Sequence, residues 1–164
     1  MDLEQKLNRL GKEVYERYPD INNGGCCVYA AMIVAELKKL NIPAKGIIAS
    51  HSAAYSDGID KVRPLIENNT IYEWRANGVC FSHVGVEFTL NGKKKHYDTA
   101  GVHKACSKLD GMPIYKGRME YAELRALAAK KHGWNTCFNR KHIPAVRRLV
   151  KSFFEVDTPA GANK

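Results

Sequence analysis

One segment constrains the fold more than any other, and it begins with two adjacent cysteines. Residues 26–35 read C-C-V-Y-A-A-M-I-V-A, so a helix over them would be apolar on every face. Such a helix has no side to offer to water and is buried in a core. Polarity returns at Glu36, and Asn41 and Pro43 end the pattern. The sequence therefore predicts a buried helix from Cys26 or Cys27 to about Leu40.

The segments on either side of this helix have simpler patterns. Apolar residues recur every three or four positions between Leu3 and Val14, which predicts an amphipathic helix over residues 2–18 that Pro19 ends. The turn-forming sequence D-I-N-N-G-G then leads into the buried helix. Residues 44–50 are interpreted as a strand, and residues 51–77, rich in Ser, Gly, Asp and Asn, as a surface insertion.

Two strands follow, joined by a turn whose chemistry fixes their register. Residues 79–90 alternate between apolar and polar, Asn91-Gly92 is a strong hairpin signal, and the return strand runs from about 93 to 99. With a two-residue turn, paired residue numbers sum to 183. Asp98 then faces Gly85 and lies one diagonal step from His83 on the same face of the pair.

The remaining pattern predicts two helices, near residues 119–131 and 143–155, and a flexible tail at 158–164. A chain of 164 residues favours one compact domain, which we place at residues 1–157. The expected fold is α+β, with a buried helix packed on an antiparallel sheet and helices at the C-terminal end.

The positive charge is concentrated in the last third of the chain. The net charge is +9, of which residues 102–164 contribute +8. This basic third is either a solvated helical surface or a surface for nucleic acid or an acidic partner, although it contains no recognised nucleic-acid motif. Its cluster comprises Lys130, Lys131, Arg140, Lys141, Arg147, Arg148 and Lys151.

The five cysteines favour reduced thiols over structural bridges or metal ligands. Their number is odd, no C-x-x-C pair occurs, and the charged N-terminal segment does not read as a secretory signal. No apolar run approaches the length of a membrane span. We therefore expect a cytoplasmic protein without membrane, metal or cofactor, in which one thiol is reactive.

The turn before the buried helix suits a nucleophilic cysteine. At a helix start, unpaired N–H groups and the helix dipole stabilise a thiolate, and the same groups can hold an oxyanion. His83 is placed to exchange protons with that thiol, and Asp98 to orient His83. The alternative for each residue is ordinary: a small buried cysteine, a half-exposed strand histidine, and a carboxylate bonded to local backbone.

Three short motifs resemble one enzyme superfamily. They are Gly25-Cys26-Cys27, S-H-V-G-V-E-F at residues 82–88 and H-Y-D-T-A-G at residues 96–101. Together they resemble the papain-like fold, most closely its transglutaminase-like and arylamine N-acetyltransferase-like branches. The resemblance covers roughly residues 20–101. It implies a Cys27 nucleophile, a His83 base and an Asp98 that orients His83, acting on a protein or peptide-like amide.

The departures from those families leave the reaction open. Asn23 stands where the acetyltransferases usually have an arginine, and Asn22 or Asn23 replaces the upstream glutamine of papain-type peptidases. Cys26 and Trp74 are further candidates to line the substrate site. We expect hydrolysis of an amide or isopeptide bond, because no acyl-donor site is evident. A transglutaminase or N-acyltransferase with the same triad and a non-catalytic basic module are the alternatives.

Overall fold

The computed structural model describes residues 2–49, 83–114 and 138–155. These residues form three α-helices and six strands in a mixed α+β arrangement, which confirms the predicted fold class at that level. In chain order they are α1 (Leu3–Arg17), α2 (Cys26–Lys39), β1 (Ala44–Ala49), β2 (His83–Leu90), β3 (Lys93–Asp98), β4 (Gly101–Lys104), β5 (Lys108–Leu109), β6 (Met112–Pro113) and α3 (Ile143–Glu155).

Helix α1 has the amphipathic character that its sequence predicts. Asp2 caps its first turn by accepting from the Gln5 N–H, and the Gln5 side chain accepts from the Asp2 N–H in return. The apolar stripe of Leu7, Leu10 and Val14 is buried in the core. The helix ends at Arg17, ahead of Pro19.

Helix α2 is buried on almost every side, as its apolar sequence predicts. Residues 27–34 are buried without exception, and Lys38 and Lys39 are the first exposed residues. The helix contacts the first two strands, α1 covers β4, and α3 packs on α2 and α1. The core therefore lies between α2 and one face of the sheet, with the other two helices closing its sides.

The main sheet has the strand order β1-β2-β3-β4, and all neighbouring strands are antiparallel. Leu90 pairs with Lys93 and Val86 with Tyr97, so the predicted sum of 183 is confirmed. The positive φ values of Asn91 and Gly92 are those that this tight turn requires.

The two faces of the sheet differ in what covers them. Val84, Val86, Phe88 and Tyr97 join the helices in the main core. The opposite face is covered at one end by the small β5–β6 hairpin, whose Leu109 and Met112 pack with Ile47 and Ala49 in a second cluster separate from the main core. This hairpin and strand β4 were not predicted from the sequence.

Helix α3 spans the predicted residues 143–155, which confirms that element. The predicted helix at 119–131, the insertion at 51–77, the tail at 158–164 and the proposed boundary at residue 157 lie outside the described residues. Among the described residues, no helix combines the length and hydrophobicity that a membrane crossing requires.

Two buried tyrosines connect α1, α2 and the sheet. The hydroxyl groups of Tyr29 on α2 and Tyr97 on β3 form a hydrogen bond, and Tyr97 also donates to the Leu7 carbonyl on α1 at 3.0 Å. Both rings are at least 97% buried from solvent by exposed area. Buried hydroxyls cost free energy unless they are paired, so this chain of bonds fixes how the three elements meet.

We predict that Tyr97→Phe lowers the free energy of unfolding by about 1–3 kcal/mol, because the change leaves the Tyr29 hydroxyl and the Leu7 carbonyl short of a partner. Urea denaturation followed by circular dichroism measures the effect. Tyr15→Phe is the matched control, since Tyr15 is 51% exposed on α1, and should change stability by less than about 0.5 kcal/mol. Equal small effects for both variants would contradict the structural role.

Candidate functional site

A buried histidine–aspartate pair lies where strands β2 and β3 end side by side. His83 is the first residue of β2, Asp98 is the last of β3, and the confirmed register brings them to adjacent positions. His83 Nε2 donates to Asp98 Oδ2 over 3.0 Å. The two side chains are each only 5% exposed, so this contact is shielded from solvent. The structure thus brings together two of the three residues that the sequence singled out.

The carboxylate of Asp98 is held on both oxygens. While Oδ2 accepts from His83, Oδ1 accepts from the Ala100 N–H at 2.8 Å and contacts His103 Nε2 at 3.4 Å. Burial alone would raise the pKa of Asp98, but its bond to His83, the charge on that ring and the Ala100 and His103 contacts outweigh burial and lower the pKa. Asp98 is therefore an anion fixed in one orientation.

The third member of the site is Cys26. It lies beside the His83 ring, close enough for its thiol to raise the pKa of that ring. Because Nε2 of His83 already faces Asp98, Nδ1 is the ring nitrogen that is left for the thiol. Cys26 is half-buried at the first position of α2, with Gly25 as the helix cap. The structure therefore brings a thiol, an imidazole and a carboxylate together at the start of α2.

Cys27 does not occupy the position that the resemblance assigned to it. It is 4% exposed and belongs to the main core. Burial, together with the neighbouring Cys26, raises the pKa of the Cys27 thiol far above its ordinary value, although Arg140 and the N–H groups of Val28 and Cys27 oppose the shift. A buried thiol of this kind is protonated and unreactive.

Helix geometry explains why only one of the two cysteines reaches His83. Consecutive helical residues point about 100° apart, so the two thiols cannot face the same group. Cys26 shares a helix face with Tyr29, three residues later. That face is fixed against β3 by the Tyr29–Tyr97 bond, next to Asp98. The Tyr29–Tyr97 bond therefore holds α2 in one rotation, in which Cys27 lies in the core and Cys26 lies beside His83.

The electrostatics of the site favour a charged His83. Burial alone would lower the pKa of this ring, but the bonds and charges of Asp98 and Cys26 outweigh burial and raise the pKa from 6.5 to about 10. The charged ring therefore stabilises the folded chain at pH values below about 6.5, and this contribution is lost as the pH rises through about 10.

The loop before α2 is built into the surrounding structure. Asn22 accepts from the Thr99 hydroxyl at 3.0 Å, next to Asp98, and the Asn23 carbonyl accepts from the Phe138 N–H at 3.1 Å. A Cβ atom on Gly25 would lie 2.7 Å from the Ile21 carbonyl oxygen and 2.8 Å from a Phe138 ring carbon. Gly25 therefore permits close packing of this loop within the protein.

The structure adds two histidine contacts that sequence reasoning did not identify. His103 lies on β4 and meets Asp98. His96 shares the face of Asp98 and contacts Glu87 at 3.3 Å. Two short turns in succession, at Asn91-Gly92 and Thr99-Ala100, were the signal that could have placed His103 on this face.

Other candidates fall outside this cluster. Trp74 lies outside the described residues. Within the part of the chain that the structure describes, no three His, Cys, Asp or Glu side chains are grouped so as to hold a metal ion. The three cysteines described there, at positions 26, 27 and 106, carry free thiols.

Asp98→Asn should lower the pKa of His83 well below its value of about 10, because the amide removes the charge while the burial of the ring remains. Titration of the ring by NMR measures the change. Asp110→Asn is the matched control: residue 110 is exposed in the β5–β6 turn, and its positive φ suits asparagine. His83 titrating alike in all three proteins would contradict the described electrostatics.

Comparison with known proteins gave no relative for this chain. No family model, no curated protein and no solved structure matches it. The chemistry of the Cys26–His83–Asp98 site is accordingly inferred from its own residues and their contacts.

Proposed function

We propose that this protein is a cysteine-dependent acyl-transfer enzyme whose nucleophile is Cys26, with His83 as acid and base and Asp98 as the residue that orients His83. One observation carries the proposal: His83 Nε2 bonds Asp98, and the Cys26 thiol lies beside the same ring, close enough to raise its pKa. A nucleophile and a base in hydrogen-bond contact, with a third group orienting the base, form the general arrangement of covalent catalysis.

In the first half of the proposed reaction, the Cys26 thiolate attacks the carbonyl carbon of an amide. The carbonyl π electrons move onto the oxygen, and the oxyanion is held by backbone N–H groups in the first turn of α2. The His83 imidazolium then donates its proton to the leaving nitrogen as the C–N bond breaks. An amine departs, and a thioester joins the acyl group to Cys26.

In the second half, neutral His83 removes a proton from water, and the resulting hydroxide adds to the thioester carbon. Collapse of this intermediate breaks the C–S bond and releases the carboxylic acid and the Cys26 thiolate. Asp98 keeps Nε2 of the ring occupied, so that the nitrogen facing Cys26 exchanges the proton in both halves. Because the Ala100 N–H also holds Asp98 Oδ1, the carboxylate keeps its orientation toward the ring.

Water as acceptor gives a peptidase, amidase or deamidase, and it is our first choice because it needs no second substrate site. An amine as acceptor gives a transglutaminase or N-acyltransferase with the same first half. The papain-like or transglutaminase-like core belongs to the proposal, supported by a cysteine at the start of a buried helix and a His–Asp pair on adjacent antiparallel strands. Free thiols support a reducing compartment such as the cytoplasm.

We expect iodoacetamide at about pH 6 to modify Cys26 at least about tenfold faster than Cys106, because a nearby imidazolium stabilises the thiolate that reacts. Cys106 is an exposed internal reference whose thiol donates to the Lys108 carbonyl. Peptide mass spectrometry over a time course places and quantifies each adduct.

The adjacent cysteine is the matched control for this experiment. Cys26→Ser should abolish the fast adduct and any amidase activity, whereas Cys27→Ser should keep both, at some loss of stability from its core position. Fast modification of Cys27, or modification of Cys26 no faster than Cys106, would remove the basis of the proposed reaction.

A second function has its own supporting observation on α3. This helix buries Val146 and Val150, while Arg147, Arg148 and Lys151 are exposed together on its outer side. Three positive side chains on one exposed surface suit a polyanion such as nucleic acid. This surface could act in addition to the catalytic site, or could be the main function if the thiol proves inert.

Exchange of Arg147, Arg148 and Lys151 for glutamine should weaken binding to a fluorescent DNA duplex, and the wild-type affinity should fall steeply with added salt. The control exchanges Lys93, Lys104 and Lys108 for glutamine, which removes the same charge from exposed residues on the sheet side. No binding by the wild type at low salt, or equal loss in both triple variants, would exclude a specific α3 surface.

A further inference from the structure

The second oxygen of Asp98 has a partner that the proposed reaction does not use. His103 Nε2 lies 3.4 Å from Asp98 Oδ1, and the His103 side chain is 45% exposed. His83, on the other oxygen, is almost wholly buried. Asp98 therefore connects a buried histidine to a histidine at the surface.

The topology of the sheet makes this contact a fixed feature of the fold. Asp98 pairs with Gly101 across the tight turn between β3 and β4, and His96 pairs with His103. Since residues two apart on a strand share a face, His103 points to the same side of the sheet as Asp98. The Ala100 N–H in the turn holds the same oxygen at 2.8 Å.

We infer that His103 is a positioning residue, which holds Asp98 Oδ1 from the solvent side so that Oδ2 remains aimed at His83. This inference rests on the proposed function, because it concerns the residue that orients the proposed base. A carboxylate can rotate about its terminal bond, and a donor on each oxygen opposes that rotation. The backbone N–H of Ala100 supplies one such donor, and His103 supplies a second from a different strand.

His103 could instead act only as a nearby positive charge, and the two roles have opposite consequences for His83. Among the described residues, the charged or titratable groups around Asp98 are His83 on β2, His103 on β4, Cys26 and Tyr29 on α2, and Tyr97 on β3. If His103 acts by charge alone, its removal takes a positive group from the cluster, and the pKa of His83 rises. If His103 positions Asp98, its removal lets the carboxylate turn away from the ring, and the pKa of His83 falls.

The test compares four full-length proteins: the wild type, His103→Ala, His103→Gln and Lys104→Ala. Glutamine keeps a side-chain N–H donor of similar reach without a charge. Lys104 is an exposed neighbour on the same strand and serves as the matched control. The readouts are the pKa of His83 by NMR and the rate at which iodoacetamide modifies Cys26.

For His103→Ala we expect a lower pKa of His83 and a loss of about two- to fivefold in the modification rate, the size typical of a half-exposed charged contact. His103→Gln should restore both values, and Lys104→Ala should match the wild type. An unchanged or raised pKa in His103→Ala, or a failure of glutamine to restore it, overturns the inference.

The wild-type rates for Cys26 and Cys106 test the proposed function independently of the His103 variants. If Cys26 of the wild type reacts no faster than Cys106, the proposed enzyme fails whatever the variants show. If Cys26 reacts quickly in the wild type and equally quickly in His103→Ala, the catalytic proposal survives and the positioning role of His103 does not. Because His103 is half-exposed, its substitution should leave the fold intact, which circular dichroism verifies.

Discussion

The hydrogen bond between His83 and Asp98 is the contact around which the described structure is organised. Two polar groups that are each about 95% buried can be tolerated only if they satisfy one another. Their pairing requires β2 and β3 in a single register, and that register also directs Val84 and Val86 into the core. A slip of one residue would therefore expose the apolar face and break the polar pair together. Core packing and the candidate site thus depend on the same strand alignment.

The candidate site also requires α2 in a defined position. This helix packs on the core face of the sheet, which carries Val84, Val86 and Tyr97. The Tyr29–Tyr97 bond anchors the helix beside β3, and Tyr97 also reaches α1 through the Leu7 carbonyl. Since Tyr97 directly precedes Asp98, the tyrosine that fixes the helix and the carboxylate that fixes the imidazole are neighbours in the chain. Cys26 lies beside His83 because the tyrosine bond and the Asp98–His83 bond both involve the end of strand β3.

Adjacent cysteines at a helix start show how far environment separates chemically identical groups. Cys26 faces a charged imidazole and is half-buried, whereas Cys27 lies in the core, where desolvation strongly disfavours its thiolate. Only the rotation of the helix distinguishes them. The reactivity that we propose for Cys26 therefore depends on the orientation of the helix, because the residue type alone does not specify it.

Local sequence determined much of this protein. The apolar run of α2, the stripe of α1 and the Asn91-Gly92 turn were sufficient to predict a buried helix, its partner helix and a hairpin in the register that places His83 near Asp98. These features follow from side-chain periodicity and turn chemistry, which act over a few residues. The tertiary structure decided two further features. It determined which cysteine faces His83, and it brought His103 to Asp98. A helix that is apolar all round carries no periodic signal for its rotation, and the placement of His103 depends on a second tight turn. Both outcomes are fixed only when the helix, the strands and the tyrosine contacts pack together.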